Sequence, residues 1–397
     1  MARFADGGSV RAQKLREALK NLEAQASGAV NLGGDLDFPS VAHQLVSLEH
    51  GKAVAQLVGS PELVGTEKYE NLDPGWIECL LEYATSRPVD FPCAPTDGAI
   101  YPLADVTGAS PFKIALAGDW GTKNDPAIRV QSHIAEMSPD YTIHLGDIYY
   151  AGLPVDEKAF LLNLWPNGKA GTFALNSNHE MYCGGKGYFE TIRDSKFGNR
   201  GFSYFALHND HWLIVGLDTA YFAYKRSLLY EDGYLADPDM GSKGKVQTDW
   251  LTNVLQMPQH QNKRSIILTH HDAFDVSRGT AKKKALYNEL LSYVGTNRDF
   301  FWYWGHVHGG IAYRPVRLSG ASRVFARCVG HGGVPYAPYP VLTSLGNAEI
   351  SVDWAERELA GTGDPNRALN GYMLLTLDGP NIREEFYDEK GRQRWHS

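Results

Sequence analysis

No run of apolar residues in this 397-residue chain approaches the length of about 18 that a bilayer-crossing helix needs, so no membrane partner is expected. The first residues, Met1-Ala-Arg-Phe-Ala-Asp, lead straight into Arg11, Lys14, Arg16, Glu17 and Lys20, where a secretory leader would need an apolar stretch. The chain as it stands is therefore expected in the cytoplasm. Cysteine is scarce: Cys79, Cys93, Cys183 and Cys328 are far apart and form no C-x-x-C pair, which excludes a disulfide framework and a zinc knuckle. Positive charge is also short, with 38 Lys+Arg against 46 Asp+Glu and a net charge of -8. A nucleic acid is not an expected partner, because only a local basic patch would overcome that repulsion. Neither an internal repeat nor a low-complexity tract is present.

What the chain does have is material for a filled interior. Hydrophobic residues are 43% and charged residues 21%, and 9 Trp, 21 Tyr and 16 Phe favour strands around a large core. The length allows two or three domains. Leu15, Leu19 and Leu22 fall at helical spacing within 10–26, a second helical stretch starts at Asp37-Phe38-Pro39-Ser40 and runs on to Val58, and Trp76 to Tyr83 gives a third. Pro88, Pro92, Pro95 and Pro102 then crowd together as a linker does. The reading is a helical appendage over 1–86, a linker over 87–110 and a catalytic domain over 111–397.

From residue 111 strand runs alternate with helical ones. FKIALAGD (112–119), YTIHLGD (141–147), GTFALNS (171–177), FSYFAL (202–207), WLIVGLD (212–218), SIILTH (265–270) and FFWYWG (300–305) read as strands. Ala127 to Met137, Gln247 to Leu255 and Ala285 to Tyr293 read as helices, and GYMLLTLD (371–378) with IREEFYD (382–388) as a hairpin around Gly379-Pro380-Asn381. His208 and His211 flank Asn209-Asp210 as a turn between two strands, and the aromatic run Phe300 to Trp304 reads as a buried strand rather than a base-stacking platform. Strands that alternate with helices and end in Gly-Asp, Asn or His describe an α/β fold with a site at the carboxyl ends of its strands.

Five clusters of metal-ligand residue types sit at such strand ends: Gly118-Asp119-Trp120-Gly121, Gly146-Asp147-Ile148-Tyr149-Tyr150, Asn178-His179-Glu180, Thr269-His270-His271 and Gly305-His306-Val307-His308. Each alone is weak, since a strand-terminal Asp is mostly structural and a His pair is often a hydrogen-bonded core element. Five together are hard to obtain from packing needs. Two cations roughly 3.5–4 Å apart need a bridging carboxylate, with neutral imidazoles or hard oxygens around them. His-x-His on a turn can aim two imidazoles at different ions, and an Asn amide adds a neutral ligand that leaves net positive charge for a phosphate.

In their order these motifs resemble the calcineurin-like metallophosphoesterase superfamily, and within it the purple acid phosphatases. That pattern is GDxG, GDxxY, GNH(D/E), VxxH and GHxH, and this chain reads GDWG, GDIYY, SNHE, ILTH and GHVH, over roughly residues 111–390. The resemblance implies an α/β metallophosphoesterase-type two-sheet β-sandwich flanked by helices, with the N-terminal helical appendage outside it. It also implies that Asp119, Tyr150 and His308 hold one metal, that Asn178, His270 and His306 hold the other, and that Asp147 bridges them. His179 would contact the phosphate. Position 121 is Gly where most of the superfamily has a ligand His, and Tyr150 stands three residues after the bridging Asp. Loss of one ligand with gain of the other favours Fe(III) at the Tyr150 site and a divalent ion (Fe, Zn or Mn) at the second. The alternative is that Tyr150 is a packed aromatic beside a Gly121 turn.

Some positions depart from the pattern. Ser177 replaces Gly before Asn178, and Ile267 replaces Val in the fourth motif. The segment from His271 to Lys284 lacks the further histidines that purple acid phosphatases use there, so the general acid falls to His271 or to Asp272. Gly330-His331-Gly332-Gly333 either brings His331 and backbone N–H groups to the substrate phosphate or is a structural turn. Lys282-Lys283-Lys284 reads as a solvated lysine face before an anion site. The expected activity is hydrolysis of small phosphomonoesters by a metal-bound hydroxide, the alternative being phosphodiesters, cyclic nucleotides included. A catalytically silent binding protein ranks last, because it would have no need of all these ligands.

Overall fold

The computed structural model describes residues 68–70, 73, 75–94, 98–103, 111–338, 350–361 and 366–397, apart from 225, 261, 276–281, 296 and 319. The helices expected over 10–26 and 37–58 lie outside them.

Among the described residues the strands form a nine-stranded sheet, a six-stranded sheet and a two-stranded ribbon. The six-stranded sheet begins with three parallel strands, β2 (Phe112–Ala117), β3 (Tyr141–His144) and β4 (Gly171–Ala174). It continues from β2 into the antiparallel β15 (Gly371–Asp378), β16 (Asn381–Asp388) and β17 (Gln393–His396). The nine-stranded sheet is centred on the parallel β6 (Trp212–Gly216), β7 (Arg264–Leu268), β10 (Phe300–Trp304) and β13 (Arg323–Val329). Its flanks are β1 (Ile100–Pro102) and β5 (Phe205–His208) on one side, and β11 (Gly310–Tyr313), β12 (Val316–Arg317) and β14 (Val352–Ala355) on the other. The ribbon pairs β8 (Phe274–Asp275) with β9 (Lys282–Lys283).

The parallel strands are largely buried on both faces, as strands covered on both sides are. One face of each sheet contributes to a shared cluster that includes Ile114, Leu116, Ile143, Leu268, Tyr303, Met373 and Phe386. The opposite faces carry two further clusters, in which the helices take part. The fold is thus a two-sheet sandwich flanked by helices.

Two helices show how local sequence sets these elements. Helix α1 (Trp76–Thr85) buries Trp76, Cys79, Leu80 and Tyr83, one stripe at i, i+3, i+4 and i+7. Helix α2 (Asp125–Glu136) starts where the Asn124 side chain accepts from Ala127 N at 3.0 Å, with Pro126 in its first turn. The same Asn124 donates Nδ2 to the Gly333 carbonyl at 2.8 Å, tying α2 to the loop after β13. The stretch expected as a helix from Gln247 to Leu255 begins as one α-turn, Val246–Asp249, and widens into a π-turn over Trp250–Val254.

Described residues on the N-terminal side of residue 111 pack on the main unit. The buried residues of α1, expected in an appendage, share a cluster with Tyr149, Tyr182 and Tyr230. Ile100–Pro102, expected in a linker, pairs in parallel with β5 and forms the edge of the larger sheet. A proline-rich stretch hid that strand because only three residues of it join the ladder. Among the described residues, no helix is long and apolar enough to cross a membrane.

Candidate active site

Every strand-end cluster singled out in the sequence arrives at the same end of the sandwich. Asp119 follows β2, Asp147 follows β3, Asn178 follows β4, His270 follows β7, and His306 and His308 follow β10. Both sheets therefore deliver ligand-type side chains from their parallel strands. Three of these residues have left-handed backbone: Asp119 at φ 56°, Asp147 at φ 78° and His306 at φ 64°. Such conformations cost a residue with a Cβ free energy, and they concentrate where turn geometry serves a site.

The two oxygens of Asp147 face two different groups. Oδ2 accepts from the Tyr149 hydroxyl at 2.9 Å, and that hydroxyl also lies 3.3 Å from Asp119 Oδ1 and 3.0 Å from His308 Nε2. Ligand atoms of Asp119, Asp147 and His308 all fall within 4.8 Å of one another, so this buried trio could hold a metal ion. On the other side Asp147 Oδ1 lies 3.3 Å from His270 Nε2. His270 Nε2 is in turn 2.8 Å from Asn178 Oδ1, which is 3.3 Å from His306 Nδ1.

Acceptors crowd this second group. His270 Nδ1 faces the Leu145 carbonyl at 2.8 Å and must carry its proton there, which leaves the neutral ring's Nε2 as a lone pair. Asn178 donates Nδ2 to the Tyr182 hydroxyl at 3.2 Å and so turns Oδ1 inward. A lone pair, an amide oxygen and a carboxylate oxygen thus point at one another, an arrangement that a cation resolves. Burial pushes the pKa of His270, His306 and His308 down, that of His308 to about 4, which keeps them neutral and able to ligate. Burial and the charge of Asp147 push Asp119 well up; at Asp147 burial is outweighed by His179, His270 and the Ser177 hydroxyl, which hold it well down. Among the described residues no Lys or Arg forms an ion pair with either carboxylate.

Gly121 is fixed by close approach. A Cβ there would fall 2.5 Å from Ile148 Cδ1 and 2.6 Å from the Asp147 carbonyl oxygen, so this turn has no room for an imidazole. Ser177, the departure in the third motif, is engaged: its hydroxyl bonds both Asp147 Oδ1 and Glu180 Oε2, and accepts from His179 N at 3.2 Å. His179 lies at the Asp147 side of the site. Its Nδ1 donates to the Tyr150 carbonyl at 2.6 Å, and its Nε2 is 3.8 Å from Asp147 Oδ2.

Four residues singled out in the sequence have packing or hydrogen-bond partners of their own. Tyr150 does not face the carboxylates; its hydroxyl bonds Asp73 and its ring packs on Tyr69 and Trp76, while Tyr149 takes the inward place. His271, expected as a catalytic acid, has both ring nitrogens in use, Nδ1 with Thr219 Oγ1 at 2.7 Å and Nε2 with the Tyr230 carbonyl at 2.6 Å. It is a buried brace beside His306, with ring centroids 4.8 Å apart. His331, expected to bind substrate, is buried against Phe386, and its ring lies between Gly310 and Gly371. Lys284 is no solvated lysine: its ammonium bonds Asp272 at 2.8 Å, which also removes Asp272 as a free acid.

Residues the sequence reading passed over include Tyr149, Tyr182 and Glu231, whose Oε2 is 3.7 Å from His306 Nε2. Tyr149 was visible only as one of two adjacent tyrosines, and nothing marked the other two.

No family model matches the chain, and no curated protein matches it in sequence. Among solved structures, it is similar to the purple acid phosphatase PPD1 isolated from yellow lupin (Lupinus luteus) seeds, with a TM-score of 0.53 and 14% identity. The match covers 75% of this chain and 55% of that one, so the chain spans little more than half of the lupin protein. GAP50, the anchor in the inner membrane complex of Plasmodium, matches at a TM-score of 0.49 and 11% identity over 72% of this chain and 88% of that one. The likeness to the lupin protein is one of architecture: the chain has a fold similar to that of a purple acid phosphatase, with a buried Asp-Asp-His group able to hold a metal ion at its strand ends.

Proposed function

We propose that this protein is a metal-dependent phosphoesterase that hydrolyses small phosphomonoesters. The observation that carries this reading is the division of Asp147 between two ligand groups, each rich in lone pairs and poor in protons. In this reading Asp119 and His308 would hold one ion, and Asn178, His270 and His306 a second, with Asp147 shared. When bound, such ions supply Lewis acidity toward the phosphoryl group and acidify water near neutral pH.

The chain's own residues do the rest. Ser177 and the backbone hold Asp147 in one orientation, and Tyr182 holds Asn178 with its oxygen inward. His306 N donates to Asp119 Oδ2 at 2.9 Å, so one ligand turn braces the next. His179, with Nδ1 donating to the Tyr150 carbonyl, would as an imidazolium also donate Nε2–H to a phosphoryl oxygen and to the charge that grows on it. The low-dielectric surroundings strengthen that interaction.

The test is metal analysis of the purified full chain, paired with hydrolysis of p-nitrophenyl phosphate and of bis(p-nitrophenyl) phosphate before and after chelation. Expected are two ions per chain, faster turnover of the monoester, and loss of activity on chelation with recovery on metal return. A metal-loaded chain that hydrolyses neither ester sinks the reading.

A further inference from the structure

The interior between the two sheets is interrupted by a charged layer. On β10 and β13, Phe301 pairs with Phe325, and two positions on Tyr303 pairs with Arg327. From β16, Glu384 accepts from the Tyr303 hydroxyl at 2.8 Å and from Arg327 Nη2 at 2.9 Å. Further along β16 the interior is apolar and filled, with Phe386 fully buried. In the opposite direction the sheets part. A cleft of about 380 Å³ opens there, with Phe301 and Phe325 on one wall and Ile382 and Trp395 on the other. Its volume falls within the span of small-molecule sites, about 300–1,000 Å³. Phe325, Ile382 and Trp395 pack on the shared cluster yet stay only half-buried.

The walls combine flat rings with positive charge. The Phe301 and Phe325 rings stack with centroids 4.9 Å apart and 20° between planes, which makes a shelf. Arg264, at the start of β7, lays its guanidinium 5.0 Å from the Trp212 ring and 5.1 Å from that of Phe301. Its Nη1 donates to the Pro380 carbonyl at 2.7 Å, and among the described residues no carboxylate forms an ion pair with it. Arg314 and Asp353, also at the cleft, offset each other at 3.9 Å, so the surplus charge is that of Arg264. Arg327 lies over the Trp395 ring at 4.9 Å. Its Nη atoms serve Glu384 and the Tyr313 and Ala326 carbonyls, while its buried Nε–H has no acceptor. A buried donor without a partner is costly, and this one belongs to a residue that lines the cleft.

We propose that this cleft is a binding site for a small aryl carboxylate, its ring on the Phe301–Phe325 shelf and its charge toward Arg264. A guanidinium and an aromatic surface side by side suit a flat anion, which takes the charge of one and the face of the other. The site stands apart from the phosphoesterase reading. Arg264 and Phe301 lie at the starts of β7 and β10, whereas His270, His306 and His308 follow the other ends of the same strands.

The experiment is titration calorimetry of the full chain with three probes: naphthoate, its uncharged amide naphthamide, and cyclohexanecarboxylate, which has the charge without the flat ring. Expected is one naphthoate per chain, bound at least about tenfold more tightly than either other probe and equally well after chelation of metals. Arg264→Met keeps an apolar side chain on Trp212 and Phe301, and should weaken naphthoate about tenfold while leaving naphthamide unchanged. Ile382→Trp fills the cleft and should abolish binding of all three. A melting curve checks that each variant is folded; if one is not, the other decides. No saturable binding of naphthoate, equal binding of the three probes, or an affinity that neither folded variant changes overturns the proposal. Binding that is lost on chelation or displaced by inorganic phosphate overturns it as well, because the probe then sits at the strand-end carboxylates and histidines. None of these outcomes alters the ester hydrolysis by which the phosphoesterase reading is judged.

Discussion

Glu384 and Glu389 on and beside β16 are as buried as Asp119 and Asp147 at the strand ends, with at most 1% of each exposed, yet their surroundings are opposite. Glu384 Oε2 meets Arg327 Nη2 at 2.9 Å while its other oxygen accepts from the Tyr303 hydroxyl at 2.8 Å. Glu389 meets Arg367 at 2.7 Å and Arg129 at 2.7 Å. Each of these two carboxylates is met by a guanidinium. Asp119 and Asp147 face each other, a phenol and imidazoles. Burying a charge costs several kcal/mol unless a partner offsets it; the first pair is complete within the chain, and the second belongs to a group that could hold a cation. The difference separates charges matched within the fold from a buried group that could hold a metal ion.

The largest way to break the comparison is on the structural side. Arg327→Met strands Glu384 without its guanidinium and is expected to lower stability by about 3–5 kcal/mol. Urea unfolding should read this, while metal content of the folded fraction stays unchanged. Loss of metal in that variant would mean that the two regions are not separate. On the chemical side Asp147→Asn should show the reverse. Turnover is expected to fall by ~10³-fold, equivalent to about 4 kcal/mol of barrier, and both ions should be lost. His179→Ala sharpens the same side: both ions should remain while the rate drops by ~10²-fold, since this residue's part is charge on the phosphoryl group. An empty site in that variant would reassign His179 as a ligand.

The smallest effect lies in acid. Burial raises the Glu389 carboxyl, but the hydrogen bond and charge of Arg367 and the bond from Arg129 outweigh it, so its folded pKa lies below the ordinary value. A depressed carboxyl contributes stability that is present above the unfolded value near 4.3 and is lost as pH falls through the folded one. Glu389→Gln should therefore show a shallower loss of stability below about pH 4 than wild type, and a flat difference above pH 5. An unchanged acid slope would show that the arginines do not hold this carboxylate down.

Much of the architecture was legible because its signals are local. The run FKIALA and the run GYMLLTLD are strands for the same reason in sequence and in structure, namely apolar residues on both faces. The grouping was legible to the extent that ligand-type side chains sit at strand ends, which brings Asp119, Asp147, Asn178, His270, His306 and His308 to one end once the sheets form. What was not legible depends on residues distant in the chain. His271 next to His270 carries no mark of being a brace, since its partner Thr219 is 52 positions away. The outward turn of Tyr150 depends on Asp73, 77 positions upstream of the tyrosine whose hydroxyl it bonds. His331 in a glycine-rich loop looks like a phosphate contact until Phe386 of another strand packs on its ring.

Three residues before the main α/β unit bear on how molecules of this protein meet one another. Ile100–Pro102 covers the outer side of β5, which would otherwise present a row of unpaired backbone groups to any passing strand. The covering strand is itself a poor template: it is only three residues long, and Pro102 has no N–H to offer. Sheet-to-sheet polymerisation through this edge is thereby discouraged. A truncation that removed these residues would uncover Phe205–His208, and clumping of the protein would then be no measure of its fold.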